Sequence, residues 1–117
     1  MVNNATFVNV TYSADTYSTP GNVFEVPATI LLNAAKGDWV MKDEEILNEL
    51  KWLFPVRRNR VLGVFEIEGW EYVDTDPKRK RVRFKLQIPS DLKQAKSLKE
   101  DAQSEISTSN FVVKYIK

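Results

Sequence analysis

The segment "DEEILNELKWLFPVRRN", Asp43 to Asn59, decides the order of elements, because its apolar residues recur at helical spacing up to a proline. Asp43 is a good helix cap, and Glu44 and Glu45 would sit at the positive end of the helix dipole. Ile46, Leu47, Leu50, Leu53 and Phe54 then share one helical face, and Pro55 forbids continuation. The spacing predicts a helix of about three turns that ends at Phe54 and covers a sheet. On this reading Trp52 lies off the buried stripe and is expected to be partly exposed or to form a partner surface.

Towards the C-terminus, Val61 to Tyr72 reads as a strand, with Gly63, Phe65 and Ile67 on one face and Val64, Glu66 and Glu68 on the other. Gly69 suggests a bulge, and "DTDPK" from Asp74 is a turn. Arg81 to Ile88 alternates cleanly, Val82, Phe84, Leu86 and Ile88 against Arg81, Arg83, Lys85 and Gln87, which predicts a half-buried strand. Ser90 then caps a helix with a narrow stripe of Leu92, Ala95, Leu98 and Ala102, and "FVVKYI" is a final strand. Towards the N-terminus, Thr6 to Tyr12 alternates as a strand, and "SADTYSTPGN" is a loop. Val23 to Leu32 is mostly apolar or β-branched but interrupted by Pro27, so an edge strand or two short pieces are expected there. Hairpins with few helices predict an α+β domain over residues 1–117: a curved, mainly antiparallel sheet or small β-barrel with two flanking helices.

At 117 residues the chain supports one hydrophobic core, and 17 basic against 16 acidic residues leave a net charge of +1. No global field therefore draws it onto nucleic acid, and any electrostatic footprint must be local. It has no cysteine and no histidine, which excludes disulfides, thiolate chemistry and every triad built on histidine. A cytoplasmic location is expected, with no membrane partner, because no leader or long apolar window is evident.

The run Lys78 to Lys85 places six basic residues in eight positions. Its beginning, Lys78, Arg79, Lys80 and Arg81, matches a crude nuclear-targeting pattern. The demand of Val82, Phe84 and Leu86 for burial favours a hairpin tip leading into a strand. Pairing across the turn would bring Glu66 and Glu68 near Arg81, Arg83 or Lys85 and neutralise much of the stripe. Phosphate contact is expected at that tip and at Arg57, Arg58 and Arg60, two clusters that merge only if the sheet curls.

The segments "LLNAAKGDWVM", "NRVLGVFEIEGWEYV", "KRVRFKL" and "NFVVKYI" resemble, in order, those of small PUA-like superfamily domains, including ASCH and EVE-type proteins and phage and bacterial relatives. The matching residues are Gly37, Asp38 and Trp39; Gly63 to Ile67 with Trp70; Phe84; and Asn110 with Tyr115. Many relatives carry arginine at Lys36 and an apolar strand at "FPVRRN". The resemblance implies a twisted, partly closed β-barrel that binds RNA or DNA, with a modified base in some members. A base site needs an aromatic plane, hydrogen-bond partners and a cation, which points to Trp39 and Trp70 with Lys36 and Asp38. The competing reading is that both tryptophans pack in the core or at its rim.

Catalysis is not expected. Glu66 and Glu68 share a strand face and so have the geometry to hold a hard cation, but their basic neighbours explain them without one. The expectation is a non-catalytic nucleic-acid-binding module without metal or cofactor. The alternative is a small phage or mobile-element factor that binds a protein through Trp52 and the hairpin tip.

Overall fold

The computed structural model describes residues 3–11, 22–41, 43–74, 80–106 and 113–116. The elements are β1 (Ala5–Asn9), α1 (Ala28–Ala35), β2 (Trp39–Val40), α2 (Glu44–Glu49), β3 (Trp52–Arg57), β4 (Arg60–Val61), β5 (Phe65–Asp74), β6 (Arg81–Gln87), α3 (Leu92–Glu105) and β7 (Val113–Ile116). The strands form one mixed sheet in the order β2-β6-β5-β3-β1-β7, with β4 attached to β3. The α+β class is as expected. The sheet is mixed because β1 and β3 run parallel, and among the described residues no pairing joins β2 to β7 to close a barrel. A parallel pair needs a long crossover, and the chain between β1 and β3 carries α1, β2 and α2.

The helix expected to run to Phe54 stops at Glu49. Asp43 caps it as expected, its Oδ1 accepting from the N–H groups of Glu45 at 3.0 Å and Ile46 at 3.3 Å. The next residues form β3, at the centre of the sheet. There Trp52, Phe54 and Val56 face the α3 side while Leu53 faces α1 and α2. A strand buried on both faces is a continuous apolar run, which periodicity alone does not separate from a helix. Trp52 is accordingly only 7% exposed, not a surface residue.

Pro55 is tolerated inside this strand because of where its missing N–H falls. The Pro55 carbonyl accepts from Leu62 N–H at 2.9 Å, and in an extended strand a residue's N–H points the same way as its C=O. That direction faces residues 62–64, where the partner of β3 changes from β5 to β4. The strand expected at Val61 to Tyr72 is divided at the same place.

The edge strand expected at Val23 to Leu32 is instead a loop followed by α1, making three helices rather than two among the described residues. Pro27 is the N-cap, just ahead of the first helical turn, where a missing N–H costs nothing, and its carbonyl accepts from Ile30 and Leu31. The α3 cap is Asp91 rather than Ser90, its Oδ1 accepting from Lys93 N–H at 3.1 Å and Gln94 N–H at 3.0 Å. Asp91→Ala is expected to cost about 1 kcal/mol in urea unfolding, whereas Ser90→Ala should change stability by less than about 0.5 kcal/mol.

The sheet therefore separates two cores. One lies under α1 and α2 and centres on Leu31, Leu47, Leu53, Phe65 and Val82. The other lies under α3 and joins Phe7, Phe54, Val61, Val64, Ala95 and Ala102, with the Phe7 and Phe54 rings stacked at 5.2 Å. Ala95, Leu98 and Ala102 fulfil the expected stripe on α3, whereas Leu92 is exposed. The outer face of β5 and β6 presents Glu71, Arg83 and Lys85, all exposed.

Candidate functional site

The expected base-binding residues are spread over the α1–β2 corner and the middle of β5. Gly37 lies so close to β6 that a Cβ would stand 3.0 Å from Arg83 Cα and 3.1 Å from the Val82 carbonyl, so only glycine fits without displacement. Lys36 is exposed and caps α1, and its carbonyl accepts from Phe84 N–H at 2.6 Å. Asp38 pairs with Arg83 at 3.1 Å. Trp39 is half-buried against the first core, and its Nε1 donates to the Ala35 carbonyl at 2.7 Å, closing the end of α1.

Trp70 is likewise half-buried. Its Nε1 donates to Asn48 Oδ1 on α2 at 3.2 Å, and its ring meets Tyr72 edge-on at 5.0 Å. Burial, and then the nearby Glu44 carboxylate, hold the Tyr72 hydroxyl above its ordinary pKa. A hollow of about 450 Å³ beside Trp70 is lined by Gly69, Glu71, Arg83, Phe84 and Lys85, and Trp39 is not part of it. The two indoles serve the joints between helices and sheet, and they do not line one concavity.

The hairpin tip divides as well. Lys78 and Arg79 lie outside the described residues. Lys80 Nζ stands 5.1 Å over the Tyr72 ring, and Arg81 is half-buried with its Nε shielded from solvent. A bulge between Ile67 and Gly69 sets Glu66 opposite Gln87 rather than a basic residue, whereas Glu68 reaches Lys85 at 3.7 Å. Glu71 lies opposite Arg83, a pairing hidden from the sequence by the same bulge. The charged stripe is thus partly neutralised, by the expected pairing of Glu68 with Lys85 and by Asp38, which was not expected, on Arg83.

The second cluster gains unanticipated neighbours. Arg58 and Asn59 both have positive φ, 52° and 62°, which makes Arg57 to Arg60 a tight two-residue hairpin turn of the mirror-image type. Gln103 on α3 clasps this turn, its Nε2 donating to the Asn59 carbonyl at 3.0 Å and its Oε1 accepting from Val61 N–H at 2.8 Å. Between turn, helix and the segment around Glu25 lies a cavity of about 540 Å³, into which Arg58, Arg60, Lys96, Lys99 and the acids Glu25 and Glu100 project.

The depth of this cavity is an ion triad. Glu25, 5% exposed, receives Arg60 Nε at 2.5 Å on Oε1 and Lys99 Nζ at 2.5 Å on Oε2. Lys99, 7% exposed, also donates to the Asn22 carbonyl. Arg60 and the buried Lys99 are thereby held on Glu25, while among the described residues neither Arg58 nor Lys96 has an ion-pair partner. Arg57 is half-buried at the end of β3.

The described part of the tip, Lys80 and Arg81, does not merge with the Arg57 to Arg60 cluster. β5 runs antiparallel to β3 from Phe65 opposite Leu53, so its far end, which leads to the tip, points away from Arg57. Sequence reasoning found Arg58 and Arg60 but missed Lys96 and Lys99, which lie on α3 at helical spacing and carried no local signal. Among the described residues, no group of three or more acidic side chains is placed to hold a metal ion, and no helix is long and apolar enough to cross a membrane. Compared with protein families, curated proteins and solved structures, the chain matches none of them.

Proposed function

We propose that the protein is a non-catalytic nucleic-acid-binding module that takes the backbone of a single-stranded RNA or DNA at the cavity between the β3–β4 turn and α3. The observation that carries this reading is the pair Arg58 and Lys96, without ion-pair partners among the described residues, held at a concave site where Glu25 already engages Arg60 and Lys99. A phosphate there exchanges solvated counter-ions for charge-assisted hydrogen bonds, and the local basic excess compensates for a net charge of only +1. The resemblance of four segments to PUA-like domains, a fold used to bind RNA or DNA, supports the same class, and the bulged, curved sheet of such domains is part of the proposal. Burial of Trp52 removes one of the two features on which a protein-docking reading rested.

Anisotropy of a short labelled oligonucleotide, followed from 50 to 200 mM salt, tests the reading. Each phosphate neutralised on a single strand contributes about 0.7 to the slope of log K against log salt. Replacing Arg58 with Asn, which tolerates the left-handed turn, together with Lys96→Ala should lower that slope by about 1.4. Binding that is absent at low salt, or a slope untouched by the double variant, would overturn it.

A further inference from the structure

The cavity has features that an internal phosphodiester does not need. Its four cations exceed its two carboxylates by two charges: the triad of Glu25, Arg60 and Lys99 retains one, and Arg58 and Lys96, opposed by Glu100, retain the other. An internal phosphate carries one negative charge, whereas a terminal phosphate monoester carries about −1.5 to −2 at pH 7. At about 540 Å³ the hollow has the volume of a small-ligand pocket rather than of a groove for a continuous strand.

We infer that this cavity is a strand-end site: it takes the terminal phosphate monoester of a single-stranded nucleic acid, with Arg58 and Lys96 as the contacting cations and Glu25 fixing Arg60 and Lys99 behind them. The inference rests on the nucleic-acid reading and adds a preference for ends. Arg58 approaches from the turn and Lys96 from the helix, so the three non-bridging oxygens of a monoester meet donors from two directions. Gln103, which holds the turn to α3, is the positioning residue.

The test compares three internally labelled oligonucleotides of one sequence, carrying a 5′-phosphate, a 3′-phosphate or neither. One phosphorylated form is expected to bind about tenfold more tightly than the unphosphorylated one, and which of the two does so assigns the polarity. Below about pH 6, where the monoester gains a proton, that preference should shrink. Arg58→Asn with Lys96→Ala should abolish it, and Lys96→Glu alone should also reduce it sharply if the double variant folds poorly. Equal binding of all three oligonucleotides overturns the end preference and leaves the nucleic-acid reading intact, whereas no binding by any of them removes both. A preference that survives both variants places the end elsewhere and overturns the assignment to this cavity.

Discussion

Glu25→Ala is expected to destabilise the protein by about 3–5 kcal/mol, measured as a lowered midpoint in urea unfolding. The carboxylate is buried at the centre of two ion pairs, and its removal leaves the Lys99 ammonium, 7% exposed, with the Asn22 carbonyl as its remaining hydrogen-bond partner among the described residues. Arg60 contributes less to the loss, because its side chain is 51% exposed and regains water. The pair as a whole need not be strongly stabilising, since desolvation of two charges opposes their attraction. Replacing both, Glu25→Leu with Lys99→Met, should therefore cost clearly less than Glu25→Ala alone. If the single variant costs below about 1 kcal/mol, the triad is solvated and the rigid inner wall of the cavity is lost from the account. Glu25→Ala has a second signature where the chain remains folded: it adds a positive charge to the cavity, so phosphate binding should tighten while stability falls.

Phe54→Ala should cost about 3–5 kcal/mol. Its ring is fully buried in the core beneath α3 and stacks on Phe7, across the parallel pair of β1 with β3. Truncation leaves a void between two sheet-bound elements that cannot collapse independently, so most of the cavity cost should be retained. The corresponding change in thermal midpoint is large, since about 1 kcal/mol shifts a domain of this size by roughly 4 °C. A helix-end Phe54, frayed by the following proline, would cost far less, and a loss under about 1.5 kcal/mol would contradict the central placement of β3.

That contrast shows what the sequence made legible. Asp43 and its two glutamates marked the start of α2 because a cap is local chemistry. The alternation of β6 and the alanine stripe of α3 were readable because each has one buried face. β3 was not, because a central strand is apolar on both faces, and Pro55 looked like a helix stop until its missing N–H was seen to fall where the neighbouring strand changes. Pro27 misleads in the opposite direction: amid apolar and β-branched residues a proline signals a broken strand, and here it precedes a helix.

The candidate site was half legible for a related reason. Arg57 to Arg60 announced a charge cluster, but its tight turn lacks the Asn-Gly signal that usually marks one, and only Asn59 hinted at a left-handed position. Glu25, Arg60 and Lys99 come from three distant parts of the chain and meet only through tertiary packing. Trp39 and Trp70 drew attention as isolated aromatic planes, yet each spends its Nε1 hydrogen on a helix beside the sheet. The tip charges looked continuous because strand alternation projects Arg81, Arg83 and Lys85 to one side, whereas Asp38 and Glu68 answer two of them.

Amide chemical-shift mapping during titration with a short single-stranded oligonucleotide tests the central claim most directly. The largest changes are expected on Arg58 to Val61 and on Lys96 to Gln103, with the outer face of β5 and β6 little affected. Changes concentrated instead on Lys80 to Lys85 and Trp70, with the β3–β4 turn silent, would contradict it.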